Sequence, residues 1–131
     1  MRINLAICFL ALTFSANAGA LPDDATLSRL LVGRWHQYRH DTQYLPNGTW
    51  IMDPPDDGSN TRGKWHIEHG KLITTWRFVG EASDSMTVDE ISELTRSTLK
   101  FRTLSQEGPG RPEGLVFPSS VYTLTRVTKN K

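Results

Sequence analysis

The residues with the widest chemical repertoire in this chain are its four histidines, a run of carboxylates and one arginine. His36 and His40 stand four apart, so on a single strand they share a face but lie roughly 13 Å apart along it. That is too far for one zinc ion to join them. His66 and His69 point oppositely if the strand carrying them runs straight. Neither pair makes a metal site without help from elsewhere, and no metal or cofactor is expected. Asp89, Glu90 and Glu93 bring carboxylates close together in sequence, as acid–base chemistry requires. Solvated charges on strand faces explain them more simply. No Gly-x-Ser-x-Gly elbow or comparable motif supports nucleophilic catalysis, so the chain is read as a non-enzyme.

Arg39 is a different kind of candidate. Counting alternate positions from Trp35 places Gln37 and Arg39 on one strand face. A guanidinium there has the fork of donors that receives a carboxylate or phosphate head group. A twist or bulge would instead leave it solvated at a rim. Trp50, Trp65, Trp76, Phe101 and Tyr122 are the aromatic stock of an interior. Aromatics at strand period are core first, and they also suit the wall of a mostly apolar ligand site. Both readings stand at this point.

The elements that must position these residues read as short strands and turns. Asp23 and Asp24 precede Leu27, Leu30 and Leu31 at helical spacing, which predicts one or two helical turns. Gly33 then gives a sharp entry into a strand over 34–40. Asn47-Gly48 marks a tight two-residue hairpin turn between Gln43 and Met52. The glycosylation sequon Asn47-Gly48-Thr49 coincides with that turn and is read as incidental. A second hairpin joins Gly63–Ile67 to Lys71–Phe78 through Glu68-His69-Gly70. Met86 and Val88 are out of phase with Ile91, which calls for a bulge or a helical turn. Thr98–Leu104 alternates again, and Val116–Val127 closes the chain as a strand whose start is limited by Pro118. About eight short strands at regular spacing predict an all-β barrel or sandwich. Asp53–Asn60 and Gln106–Gly114, rich in Pro, Gly and Asp or Glu, read as exposed loops. The first of them lacks the spacing of a calcium loop.

The first residues bound where this domain works. Arg2, the apolar run Ile3–Leu12 and Ala16-Asn17-Ala18-Gly19-Ala20 form a basic, then apolar, then small-residue pattern of an export signal over 1–20. Cleavage after Ala18 or Ala20 leaves about 110 residues, 21–131 in the second case, a size suited to one domain with one core. The expected location is periplasmic or secreted. The only cysteine, Cys8, lies within the leader, so packing must stabilise the mature domain. Loss of Arg2 brings the 15 basic residues down to equality with the 14 acidic ones. A neutral chain without a basic patch argues against nucleic acid as a partner, and no apolar run reaches the length of a membrane span.

Gly33-x-Trp35 near the start and Arg126 near the end resemble the lipocalin-like group of small barrels. So do Leu45-Pro46-Asn47-Gly48-Thr49-Trp50, and Gly63-Lys64-Trp65-His66-Ile67 before a Gly turn and Lys71-Leu72. The resemblance covers Leu30 to Val127. It implies an eight-stranded antiparallel up-and-down barrel with a short N-terminal helix. It also implies that Trp35 lies across the closed base under Arg126, with Gly33 beside them. Animal lipocalins are longer and usually hold a disulfide, which the mature chain cannot form, so their ligand roles do not carry over. The interior of such a barrel is wide enough to be filled by side chains or to hold one small molecule. Two functions follow as expectations. One is binding of a small hydrophobic or amphipathic molecule inside the barrel by Arg39, Trp50, Trp65, Trp76, Phe101 and Tyr122. The other is a protein–protein interaction module or inhibitor that uses loops 53–60 and 106–114 on a barrel scaffold.

Overall fold

A computed structural model describes residues 20–53, 59–78, 80–109 and 121–128. Residues 1–19, most of the expected leader, lie outside the described residues, as do 54–58 and 110–120, which hold much of the two loops expected to face a partner. A helix α1 (Asp24–Leu31) leads into eight strands: β1 (Gly33–Gln37), β2 (His40–Tyr44), β3 (Thr49–Asp53), β4 (Ser59–Glu68), β5 (Lys71–Phe78), β6 (Ser85–Leu94), β7 (Thr98–Glu107) and β8 (Val121–Arg126). Each strand pairs antiparallel with the next, and β8 pairs back onto β1 through Trp35↔Arg126 and His36↔Thr125. The result is a closed up-and-down barrel with no unpaired edge. Among the described residues no helix is long and apolar enough to cross a membrane.

One end of the barrel is sealed by α1. Asp23 caps the helix, its carboxylate accepting from the Thr26 amide at 2.7 Å. Leu27 and Leu31 are fully buried, as the i, i+4 spacing predicts. The next carboxylate, Asp24, reaches away from the helix and accepts from the amides of His69 and Gly70 at 2.8 and 2.9 Å. It thereby fastens α1 to the β4–β5 turn. His69 and Gly70 both take positive φ, 51° and 71°, as a tight two-residue hairpin turn requires.

Arg126 completes the seal. Its guanidinium carbon stands 4.3 Å from the Trp35 ring centroid. Its nitrogens donate to the carbonyls of Val32, Leu30 and Arg96, of which Leu30 and Val32 belong to the otherwise unsatisfied C-terminal end of α1. The Trp35 indole donates to a third such carbonyl, Leu31, at 2.8 Å. Gly33 suits the place beside them, because its φ of 140° is rarely adopted by residues with a side chain and a Cβ there would crowd Arg126 Nη1.

Three details depart from the sequence reading. The strand expected over 34–40 breaks at Tyr38-Arg39, where Gln37 pairs with His40 and the chain reverses in two residues. Tyr38 takes φ 49° without the Gly or Asn that usually marks such a turn, so His36 and His40 stand on different strands. The β2–β3 connection is also not the tight two-residue turn expected of Asn47-Gly48. The Gly48 amide donates to Leu45 O at 3.1 Å and the Leu45 amide to Thr49 O at 2.8 Å, and only Gly48 has positive φ, 83°. Pro46 presets the backbone for the first central position of that four-residue turn. Finally, β7 runs to Glu107 and β4 begins at Ser59, so both expected loops are shorter than composition suggested.

Replacing Arg126 with Ala removes the ring contact and strands three carbonyls. Cation–π and charge-assisted hydrogen-bond magnitudes put the loss at about 2–4 kcal/mol. Urea unfolding followed by tryptophan fluorescence should show a lower midpoint with an unchanged slope. A midpoint equal to that of the unaltered protein would mean the seal does not depend on this side chain.

Candidate internal binding site

Cross-strand register defines what faces the barrel interior. One ladder runs Tyr44, Trp50, Gly63, Trp76, Ser85, and a second runs Trp65, Thr74, Thr87. A third runs Ile67, Leu72, Asp89, Thr103, and a fourth Ile91, Phe101, Tyr122. Near α1 the interior is apolar, with Trp35, Leu72, Leu99 and Leu124 essentially inaccessible. Toward the other end it becomes polar along β6 and β7.

That polar wall is the principal feature the sequence reading missed. Ser85, Thr87, Asp89 and Ile91 are buried in strict alternation, while Met86 and Val88 between them face outward. Thr103, across from Asp89, is buried as well. The phase conflict resolves as a strand with bulges, its register against β7 shifting at Val88/Asp89 and again at Ile91/Glu93. Asp89 is therefore not a solvated face residue like its neighbours. Glu90 and Glu93 are: they pair on the outer surface with Arg102 at 3.1 Å and Lys100 at 3.2 Å. The signal that could have found the wall is the i, i+2, i+4 run Ser85, Thr87, Asp89 in phase with Ile91. The apolar Met86 and Val88 drew attention to the wrong face.

Asp89 is 5% exposed, and among the described residues its carboxylate accepts one hydrogen bond, from Thr103 Oγ1 at 2.7 Å. Among the described residues no basic side chain pairs with it. Burial pushes its pKa up to about 6, against the lowering effect of the Thr103 hydroxyl. Tyr44 feels the same environment: burial first, and then the Asp89 charge, raise its phenol far above the ordinary value, so it stays neutral. Its ring meets Trp65 edge-on at 5.7 Å and 85°.

The five aromatic candidates all belong to the inner face, in two groups. Trp50 and Trp65 are buried and tied to the frame, the first through Nε1 to Thr75 O at 3.3 Å, the second through Nε1 to Leu45 O and Thr49 O at 3.1 Å each. Trp76, Phe101 and Tyr122 line the part nearer the polar wall. Phe101 and Tyr122 stack at 5.6 Å, and Trp76, opposite Ser85, is only partly buried. Its indole N–H has no acceptor among the described residues. Arg39 does not join them. It sits exposed in the β1–β2 turn, its guanidinium 5.1 Å from the Tyr38 ring centroid, because the turn removes it from the strand phase shared by Trp35 and Gln37.

The histidines are dispersed. His36 faces outward with Nδ1 2.6 Å from Asp41, and that contact first, then Arg34, lowers the Asp41 pKa. His40 lies on β2, half-buried and opposite Gln37. His66 is exposed near Glu68 at 3.6 Å, and His69 is in the turn under α1. Among the described residues no three metal-ligating side chains come together. No family model, curated protein or solved structure matches the chain. The class the coordinates define is a closed eight-stranded up-and-down barrel, compatible with a lipocalin-like fold, with a buried carboxylate in its inner wall.

A carboxyl whose folded pKa lies above its unfolded value binds its proton more tightly when folded. Its contribution therefore favours folding at low pH and fades as pH rises from about 4 to about 6. Two pKa units correspond to about 3 kcal/mol. Asp89→Asn removes this dependence. Denaturation at pH 4 and pH 7 should show the variant gaining on the unaltered protein by about that amount as pH rises. A constant difference between the two proteins would contradict the burial of the charge.

Proposed function

We propose that this chain is an exported, lipocalin-like barrel protein that holds one small amphipathic molecule in its interior, entered from the end opposite α1. The single observation that carries this reading is the wall of Ser85, Thr87, Asp89 and Thr103 facing inward beside Trp76, Phe101 and Tyr122. A core that served folding alone gains nothing from an unneutralised carboxylate, whose desolvation is unfavourable. An apolar lining with a few placed polar groups is what a small-molecule site needs. Export is supported by the leader pattern at 1–20. The family assignment is supported by the closed barrel and by the contact of Arg126 with Trp35.

The test is native mass spectrometry of protein purified from its own host, followed by titration with an environment-sensitive apolar fluorophore. A co-purifying small molecule, or one fluorophore per chain with transfer from tryptophan, is the expected result. Trp76→Ala should weaken fluorophore binding about tenfold or more, since a buried aromatic side chain contributes about 1.5–3 kcal/mol. Neither adduct nor saturable binding, or binding indifferent to Trp76→Ala, would overturn the reading.

A further inference from the structure

We propose that the interior site selects a ligand carrying a protonated amine, seated against the Asp89 carboxylate with its apolar part among Trp76, Phe101 and Tyr122. This rests on the reading of the barrel as a binding protein and names the chemistry of its ligand.

The first argument is unused hydrogen-bonding capacity. A carboxylate offers about four lone-pair positions, and among the described residues Asp89 uses one, for Thr103 Oγ1. An ammonium group brings three donors and a compensating charge. The second is charge. The inward positions of the described strands carry Arg126, engaged at the α1 end by Trp35 and three backbone carbonyls, and His40, on β2 near the other end. Asp89 lies across from Leu72 on β5 and Thr103 on β7, with Phe101 and Tyr122 in the adjacent ladder, and its charge reaches the Tyr44 phenol of β2. The basic residues of the surrounding strands are outside, where Arg102 and Lys100 hold Glu90 and Glu93, and Arg77 holds Asp84. The interior therefore has a negative centre with no cation paired to it among the described residues.

The third argument is the company of the carboxylate. Aromatic faces attract cations, and Phe101 and Tyr122 occupy the ladder next to Asp89 and Thr103. The raised Asp89 pKa has the same origin as the proposed selectivity, burial without a partner cation. An anionic amphiphile is disfavoured by the same geometry, since its head group would be buried beside a like charge. Arg39, exposed in the β1–β2 turn, supplies no inner-face cation to such an anion.

The experiment is calorimetric titration of the full chain at pH 7 with three probes of equal chain length: decylamine, decanol and decanoate. Decylamine is expected to bind at least tenfold tighter than decanol, and decanoate more weakly than either. In Asp89→Asn the ratio of amine to alcohol affinity should fall to within about threefold. In the unaltered protein that ratio should also fall as the pH is lowered from 7 to 4, which keeps the test independent of how well the variant folds. Decanol binding without amine preference, or a preference that survives both Asp89→Asn and pH 4, overturns the amine assignment while leaving the binding function standing. Binding of none of the three probes overturns both.

Discussion

The barrel depends on one guanidinium. Arg126, near the end of the chain, lies over Trp35, near its beginning, and donates to carbonyls at the end of α1 and in the β6–β7 turn. A closed barrel must bring its last strand to its first, and among the described residues two register pairs join β8 to β1, with the Val127 amide donating to Arg34 O just beyond them. Arg126 concentrates three tasks at that short seam. It neutralises the negative end of the helix, satisfies backbone acceptors that packing would otherwise orphan, and covers the largest fully buried side chain. Gly33 suits the same constraint, because a Cβ there would crowd the guanidinium.

With one end committed to this seal, the chemistry moves to the other. The helix, the β4–β5 turn held by Asp24 and the leucines beneath them make the α1 end a dry core. Trp50 and Trp65 extend that core upward and are fixed by their indole hydrogen bonds. The wall changes character along β6 and β7, where the bulges in that strand pair bring Asp89 opposite Thr103 while Ile91 still faces Phe101, and Leu72 of the core lies across from Asp89 on β5. The interior thus combines indoles fixed to the backbone with a polar stretch of Ser85, Thr87, Asp89 and Thr103.

The architecture was legible in the sequence because its signals are local. Asp23 before helically spaced leucines, Glu68-His69-Gly70 between alternating runs, and Gly33 at the entry to β1 each specify a backbone event within a few residues, whereas the meeting of Trp35 with Arg126 was legible only through the family resemblance. Two other features gave no such signal. The reversal at Tyr38-Arg39 uses a tyrosine at positive φ, and neither residue type announces a turn, so Arg39 was counted onto an inner face it never reaches. On β6 both phases carry apolar residues, Met86 and Val88 on one and Ile91 on the other. Periodicity could not choose between them. The choice is made by pairing with β5 and β7, where Leu72 and Thr103 flank Asp89, contacts far apart in sequence. Asp89 was accordingly grouped with Glu90 and Glu93, which do lie on the surface.

The proposed site depends on Asp89 being an interior carboxylate, with no partner cation among the described residues. The most direct measurement is a carbon-detected NMR titration of the Asp89 carboxyl in the ligand-free protein. A midpoint near 6 is predicted. A midpoint at or below the ordinary value of 3.8 would mean that the group is solvated or compensated, and would contradict the proposed internal site.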